Sequence, residues 1–131
     1  MSYNGSCLCG QVCFEIDEFP MDMWKCHCTR CRKRFGGASS AATCVSKDSF
    51  RWISGADTQQ TFEFEGQVQR RCDKCGSLVP GLYEKLDMMW IPMGLVDGDP
   101  PIKLVRHGYV DYKANWEILD DQIERFGESS Y

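Results

Sequence analysis

The stretch Cys72-Asp73-Lys74-Cys75-Gly76 repeats, with one residue more, the design of Cys7-Leu8-Cys9-Gly10. In each, two thiols stand close together in a short turn, and glycine directly follows the second. Glycine there tolerates positive φ, which lets backbone N–H groups turn toward a thiolate. The two knuckles lie 63 positions apart. Together they supply four cysteines, a usual ligand count for a closed structural zinc site. Structural zinc contributes about 10–16 kcal/mol of folding free energy in peptide systems. A site joining the knuckles is therefore strong enough to tie the start of the domain to its middle.

A third cluster differs in design. Lys25–Gly37, KCHCTRCRKRFGG, carries Cys26, Cys28 and Cys31, and no glycine follows its last thiol. The i, i+2, i+5 spacing can bring three sulfurs around one centre from a single tight turn. Catalytic zinc sites keep three protein ligands and a fourth position for water or substrate. Three local cysteines without an obvious fourth thus suggest an open metal position. His27 sits between two of the candidate ligands, but adjacent side chains in an extended turn point apart, so a ligand role is disfavoured. The basic run Arg30, Arg32, Lys33 and Arg34 stands out in an acidic chain. Either some of these charges offset a zinc–trithiolate of formal charge −1 or grip an anionic substrate, or the run forms a solvated face.

Nine cysteines in 131 residues leave two outside the clusters, Cys13 and Cys44. A packing role is favoured for both. Cys44, in the apolar run AATCV, is the hidden candidate that would close the tri-cysteine site. His107, a lone histidine, is expected at the surface or in the core.

The length predicts one domain, residues 1–131. Net charge is −4 and the pI is near 5.1, which argues against a general nucleic-acid backbone binder. No apolar run is long enough to span a bilayer. The N-terminus MSYNGSCLCG has no basic region followed by an apolar core, so the sequence predicts no secretory signal and a cytosolic location. Many cysteines in such a setting point to metal rather than disulfides.

Helix-favouring runs are scarce, and short β-branched and aromatic segments predict a mainly β fold. Strands are expected at Gln11–Ile16, with Val12, Phe14 and Ile16 on one face, and at Thr43–Val45, Phe50–Ile53, Leu78–Glu84, Met88–Leu95 and within Ile102–Tyr112. Thr61–Glu65 and Gln67–Arg71 alternate around Gly66 as a hairpin. Gly36–Ala42 is either a close backbone approach or a turn into a packed strand. Asn115–Phe126, with Ile118, Leu119, Ile123 and Phe126 on a loose apolar face, predicts a short C-terminal helix.

Gly5–Glu15, Cys26–Lys33, Cys72–Ser77 and the late segment Lys113–Ile118, followed by Asp120 or Asp121 and Phe126, resemble the glutathione-dependent formaldehyde-activating enzyme family, also called the centromere protein V domain family. The resemblance covers nearly the whole chain. It implies an Mss4-like fold of folded-over β-sheets. It implies a structural zinc on Cys7, Cys9, Cys72 and Cys75, and a catalytic zinc on Cys26, Cys28 and Cys31. It also implies a carbon–sulfur lyase reaction run in reverse, joining glutathione to formaldehyde as S-hydroxymethylglutathione.

That chemistry is coherent. The thiolate is the nucleophile, and a free thiol has a pKa near 8.5. A zinc ion with an open position lowers the pKa of what it binds. No residue stands out as a general base. Two other readings compete: a non-enzymatic, zinc-stabilised binding module for protein or nucleic acid, and a redox or metal-storage protein that exchanges the Cys26, Cys28 and Cys31 thiols. Closure of the tri-cysteine site by Cys44 would favour the module.

Overall fold

The computed structural model describes residues 2–129. In chain order the strands are β1 (Tyr3–Ser6), β2 (Cys13–Ile16), β3 (Met23–Cys26), β4 (Ser40–Val45), β5 (Phe50–Ser54) and β6 (Gln59–Phe64). There follow β7 (Gln67–Cys72), β8 (Gly81–Tyr83), β9 (Met88–Pro92), β10 (Leu104–Gly108) and β11 (Glu124–Arg125). Among the described residues the one α-helix is α1, Thr29–Phe35. The chain is mainly β, in keeping with an Mss4-like fold. Among the described residues no helix is long and apolar enough to cross a membrane. Two compact units interleave along the chain. One takes the residues up to Met21 and Cys44–Pro101; the other takes Asp22–Thr43 and the segment from Ile102 onward.

In the first unit, β1, β2 and β5 form an antiparallel sheet with β2 in the middle. The expected alternation on β2 holds: Phe14 and Ile16 are buried on one face, with Val12 buried just before the strand. Phe14 and Ile16 pack with Val45 and Ile91, and Phe50, Trp52 and Met89 close over them. Phe14 stacks on Phe50 at 5.6 Å, and Trp52 meets Phe50 edge-on at 4.8 Å. The ring of Phe14 lies on Gly5, where a Cβ would come within 2.2 Å of it. A larger residue at that point of β1 would push against the ring. A smaller cluster of Cys7, Val12, Cys72 and Val79 gathers beneath the two knuckles. The hairpin β6–β7 turns at Glu65 and Gly66, with φ of 50° and 79°. Two central residues with positive φ match the right-handed twist of the flanking strands. β8 and β9 form a second antiparallel pair, and the expected strand Met88–Leu95 ends early in a 3-10 turn over Met93–Leu95.

In the second unit the strand order is β11-β10-β3-β4. β10 runs parallel to both β3 and β11, and β3 pairs antiparallel with β4. Small residues let β4 pack closely, with Ser40, Ala42 and Thr43 buried. Of the expected turn Gly36–Ala42, residues 36–39 lead into the strand and residues 40–42 already belong to it.

Two features differ from expectation. The tri-cysteine segment is not only a turn, because α1 begins inside it. The Cys28 sulfur caps the helix by accepting the Cys31 N–H at 3.4 Å. Gly36 ends it in the left-handed conformation, its N–H reaching the Arg32 carbonyl at 2.9 Å. Arg32, Lys33 and Arg34 fall in the last turn, where cations suit the helix dipole.

The predicted C-terminal helix over Asn115–Phe126 is absent. Its apolar residues do not share one buried face: Ile118 is 80% exposed, while Leu119, Ile123 and Phe126 are half-buried. Polar side chains capture the backbone instead. Asp121 accepts the Ile123 N–H at 3.0 Å, and Arg125 donates to the Leu119 and Asp121 carbonyls at 2.8 and 3.0 Å. Local bonds of this kind compete with a helix.

Candidate metal centres

The first unit brings Cys7, Cys9, Cys72 and Cys75 together, each offering its sulfur within 4.8 Å of the others. Cys9 Sγ lies 3.6 Å from Cys7 Sγ and 3.8 Å from Cys72 Sγ. Tetrahedral zinc at a Zn–S distance of about 2.3 Å sets the sulfurs about 3.8 Å apart. The spacing fits that ion and is far from the bonding distance of a disulfide; all nine thiols are free. Gly10 and Gly76 adopt φ of 82° and 78°, as the knuckle design requires.

Donors surround the sulfurs. The Val12 N–H reaches Cys7 Sγ at 3.3 Å, and Gln11 Nε2 bridges Cys72 Sγ at 3.6 Å and Asp73 Oδ1 at 2.7 Å. Ser77 Oγ lies 3.2 Å from Cys75 Sγ and accepts the Leu8 N–H at 3.0 Å, linking the two knuckles directly. The Ser77 hydroxyl is the main cause holding the Cys75 thiol down at about 5. At Cys9 the Gln11 backbone pulls the other way, yet desolvation and the neighbouring thiols together push it up to about 11. Four thiols this close cannot all ionise unaided, and a divalent cation removes the conflict.

The second unit brings Cys26, Cys28 and Cys31 together, again within 4.8 Å. β3 delivers Cys26, the helix cap is Cys28, and the first turn of α1 presents Cys31. Cys26 is buried, whereas Cys28 and Cys31 are half-buried. The Cys31 thiol is pushed far up, first by its contact with Cys26, then by burial and by the charges of Cys26 and Cys28. The same logic applies: three crowded thiols need a cation to become three thiolates. Soft sulfur donors suit zinc.

Cys44 joins neither group. It is fully buried in β4, and burial alone raises its thiol to about 12. Cys13 is also separate, its thiol donating to the Gly10 carbonyl at 3.2 Å. Of the basic run, Arg30 and Lys33 are exposed, and Arg32 Nη1 donates to the Tyr112 carbonyl at 3.1 Å. Arg32 thus has a structural bond within its unit.

His27 is fully buried and is not among the grouped ligands. Its Nε2 lies 2.9 Å from His107 Nδ1, and His107 Nε2 lies 3.0 Å from Asp121 Oδ2. Burial, then the neighbouring His107, lowers the His27 pKa. The sequence gives no cue to this chain, because its histidines stand 80 positions apart in unrelated motifs. Ser77 and Gln11 are signalled in the sequence only by their place beside the cysteine motifs.

A family model described as glutathione-dependent formaldehyde-activating enzyme matches residues 2–112. No curated protein matches the sequence. The crystal structure of a Rhodobacter sphaeroides protein is similar with a TM-score of 0.62 at 22% identity, over 75% of this chain and 91% of that one. At that identity the likeness speaks for the fold.

Proposed function

The chain belongs to the glutathione-dependent formaldehyde-activating enzyme family, and from that premise we propose that it joins a small thiol, such as glutathione, to a small aldehyde, such as formaldehyde. The observation that carries this reading is the division of seven thiols into four and three, with Cys44 in neither group. Cys7, Cys9, Cys72 and Cys75 would hold a structural zinc. Cys26, Cys28 and Cys31 would hold a second zinc with a position left for the substrate.

A zinc ion so held supplies Lewis acidity, which favours the thiolate form of a thiol beside it. The rest falls to the chain. Cys26 anchors the centre from a buried strand end, and Cys28 and Cys31 face partly toward solvent, where a small thiol can arrive. Holding thiol and aldehyde side by side turns an encounter of two molecules into a local step. The thiolate sulfur then bonds to the carbonyl carbon. The C=O π pair moves onto oxygen, which takes up the proton the thiol released. No oxidant or reductant is consumed, and the product is the S-hydroxymethyl thioether. Arg30 and Lys33, exposed on α1, would meet the carboxylates of a peptide-like thiol. Nine free thiols suit a reducing compartment such as the cytoplasm.

The test is zinc per chain before and after dialysis against glutathione, followed by an assay of thiol–formaldehyde adduct formation. Two zincs, one of them exchanged by thiol, together with faster adduct formation, support the reading. Two zincs that both resist thiol, or no acceleration by the zinc-loaded protein, overturn it.

A further inference from the structure

Behind the tri-cysteine loop runs a chain of three polar side chains that the proposed reaction does not use. His27 stands between Cys26 and Cys28 and is fully buried; His107 is 1% exposed. Asp121 ends the chain at the surface, with its side chain 36% exposed. Backbone bonds run alongside. The His27 N–H donates to the Gly108 carbonyl at 2.9 Å, and the Phe126 N–H donates to the His107 carbonyl at 2.8 Å. The segment from Leu119 to Phe126 is thus fastened to β10, and β10 to the loop that carries the thiols.

The hydrogen bonds have a direction. An ionised carboxylate only accepts, so His107 must carry its hydrogen on Nε2. A neutral His107 then offers a lone pair at Nδ1, and His27 must carry its own hydrogen on Nε2. His27 Nδ1 is left as a lone pair. That atom is buried and has no hydrogen-bond partner. Buried polar atoms without partners are few in folded proteins. Here the orphan lies one residue from two of the three thiols.

We propose that Asp121 and His107 are positioning residues for the tri-cysteine centre: they lock His27 with hydrogen on Nε2 and a bare acceptor at Nδ1, and so order the Cys26–Cys28 loop around its metal. This rests on the reading of the three cysteines as a metal site, not on the reaction assigned to it. Asp121 lies beyond residue 112, where the family match ends. His27 and His107 lie within that match, so the chain of side chains spans both parts.

The chain has only two histidines, so two-bond 1H–15N NMR of the full, zinc-loaded protein reads both rings without crowding. Both are expected as the Nε2–H tautomer. Asp121→Asn is the informative variant. The Ile123 N–H keeps the amide oxygen at the Oδ1 position, which turns the NH2 toward His107 Nε2. Both rings are then expected to switch to the Nδ1–H tautomer. A parent protein with hydrogen on Nδ1 of either ring, or Asp121→Asn with both rings unchanged, overturns the proposed direction.

Asp121→Ala removes the last acceptor. Zinc affinity of the tri-cysteine group, measured by chelator competition, is expected to fall about 10–100-fold. The four-cysteine zinc should stay bound, which serves as the folding control, and Asp121→Glu should recover much of the loss. Unchanged affinity in Asp121→Ala overturns the positioning role. If the parent binds only one zinc, the metal-site reading fails instead, and the tautomers still decide the direction of the chain.

Discussion

Cys44→Ala separates an open tri-cysteine centre from a closed one. Cys44 has no exposed surface and stands outside both thiol groups. Removing its sulfur takes away one buried heavy atom, worth about 0.8 kcal/mol of transfer free energy on the methylene scale. The space left, roughly 20 Å³, adds about 0.5 kcal/mol at ~24 cal/mol per Å³. The expected loss is about 1–1.5 kcal/mol. For a chain of 131 residues, unfolding entropy of about 2.1 cal/mol/K per residue converts this to a drop in Tm of about 4–5 °C. Zinc per chain should not change. The assay pairs a thermal melt with metal analysis of the same sample. Loss of one zinc would show that Cys44 is a ligand and that the second centre is closed, which defeats the reasoning. A Tm drop beyond about 10 °C would show that the sulfur does more than fill space.

Cys72→Ser should lose the four-cysteine zinc and, with it, cooperative unfolding, because about 10–16 kcal/mol of metal-linked stability matches or exceeds the 5–15 kcal/mol of an ordinary domain. A sharp denaturant transition near the parent midpoint would contradict this. The Asp121 carboxyl is held below the usual carboxylate range, chiefly by its hydrogen bond from His107. Its contribution is full above the unfolded value of about 3.9 and is lost as pH falls through the lower folded value. The stability gap between parent and Asp121→Asn should therefore narrow below about pH 4, which urea midpoints from pH 3 to 6 would check; a gap constant across that range counts against the assignment. Gly5→Ala forces a methyl against the Phe14 ring and should cost about 1–3 kcal/mol; a neutral result in urea melts would mean that the ring moves freely.

What the sequence carries and what it hides follow from the range of the interactions. The knuckles are legible because their chemistry is local: two thiols and a glycine specify a turn that the structure reproduces at Gly10 and Gly76. The β6–β7 turn at Gly66 and the alternation of Phe14 and Ile16 are legible for the same reason. The helix α1 escapes notice because its cap is a cysteine, a residue outside the usual capping set. The C-terminal segment misleads in the opposite sense. Its apolar spacing suits a helix, but periodicity cannot report that Asp121 and Arg125 hold the backbone in another form. His27 and His107 meet through the parallel pairing of β3 with β10, and Asp121 joins them beside the pairing of β10 with β11; no short motif encodes pairings of this kind.

That parallel pairing also sets an order of events during synthesis. His27 leaves the ribosome 80 residues ahead of His107. At about 5–20 residues per second the interval is about 4–16 s. Throughout it, the strand that delivers Cys26 lacks its β10 neighbour, and the three thiols are on the nascent chain without the support that orders them. The first knuckle waits in the same way for the second. Premature oxidation or capture of a foreign metal ion is therefore most dangerous before the last quarter of the chain has emerged. Slowing elongation in cells under thiol-oxidising stress should lower the yield of correctly metallated protein more than the same stress applied after release.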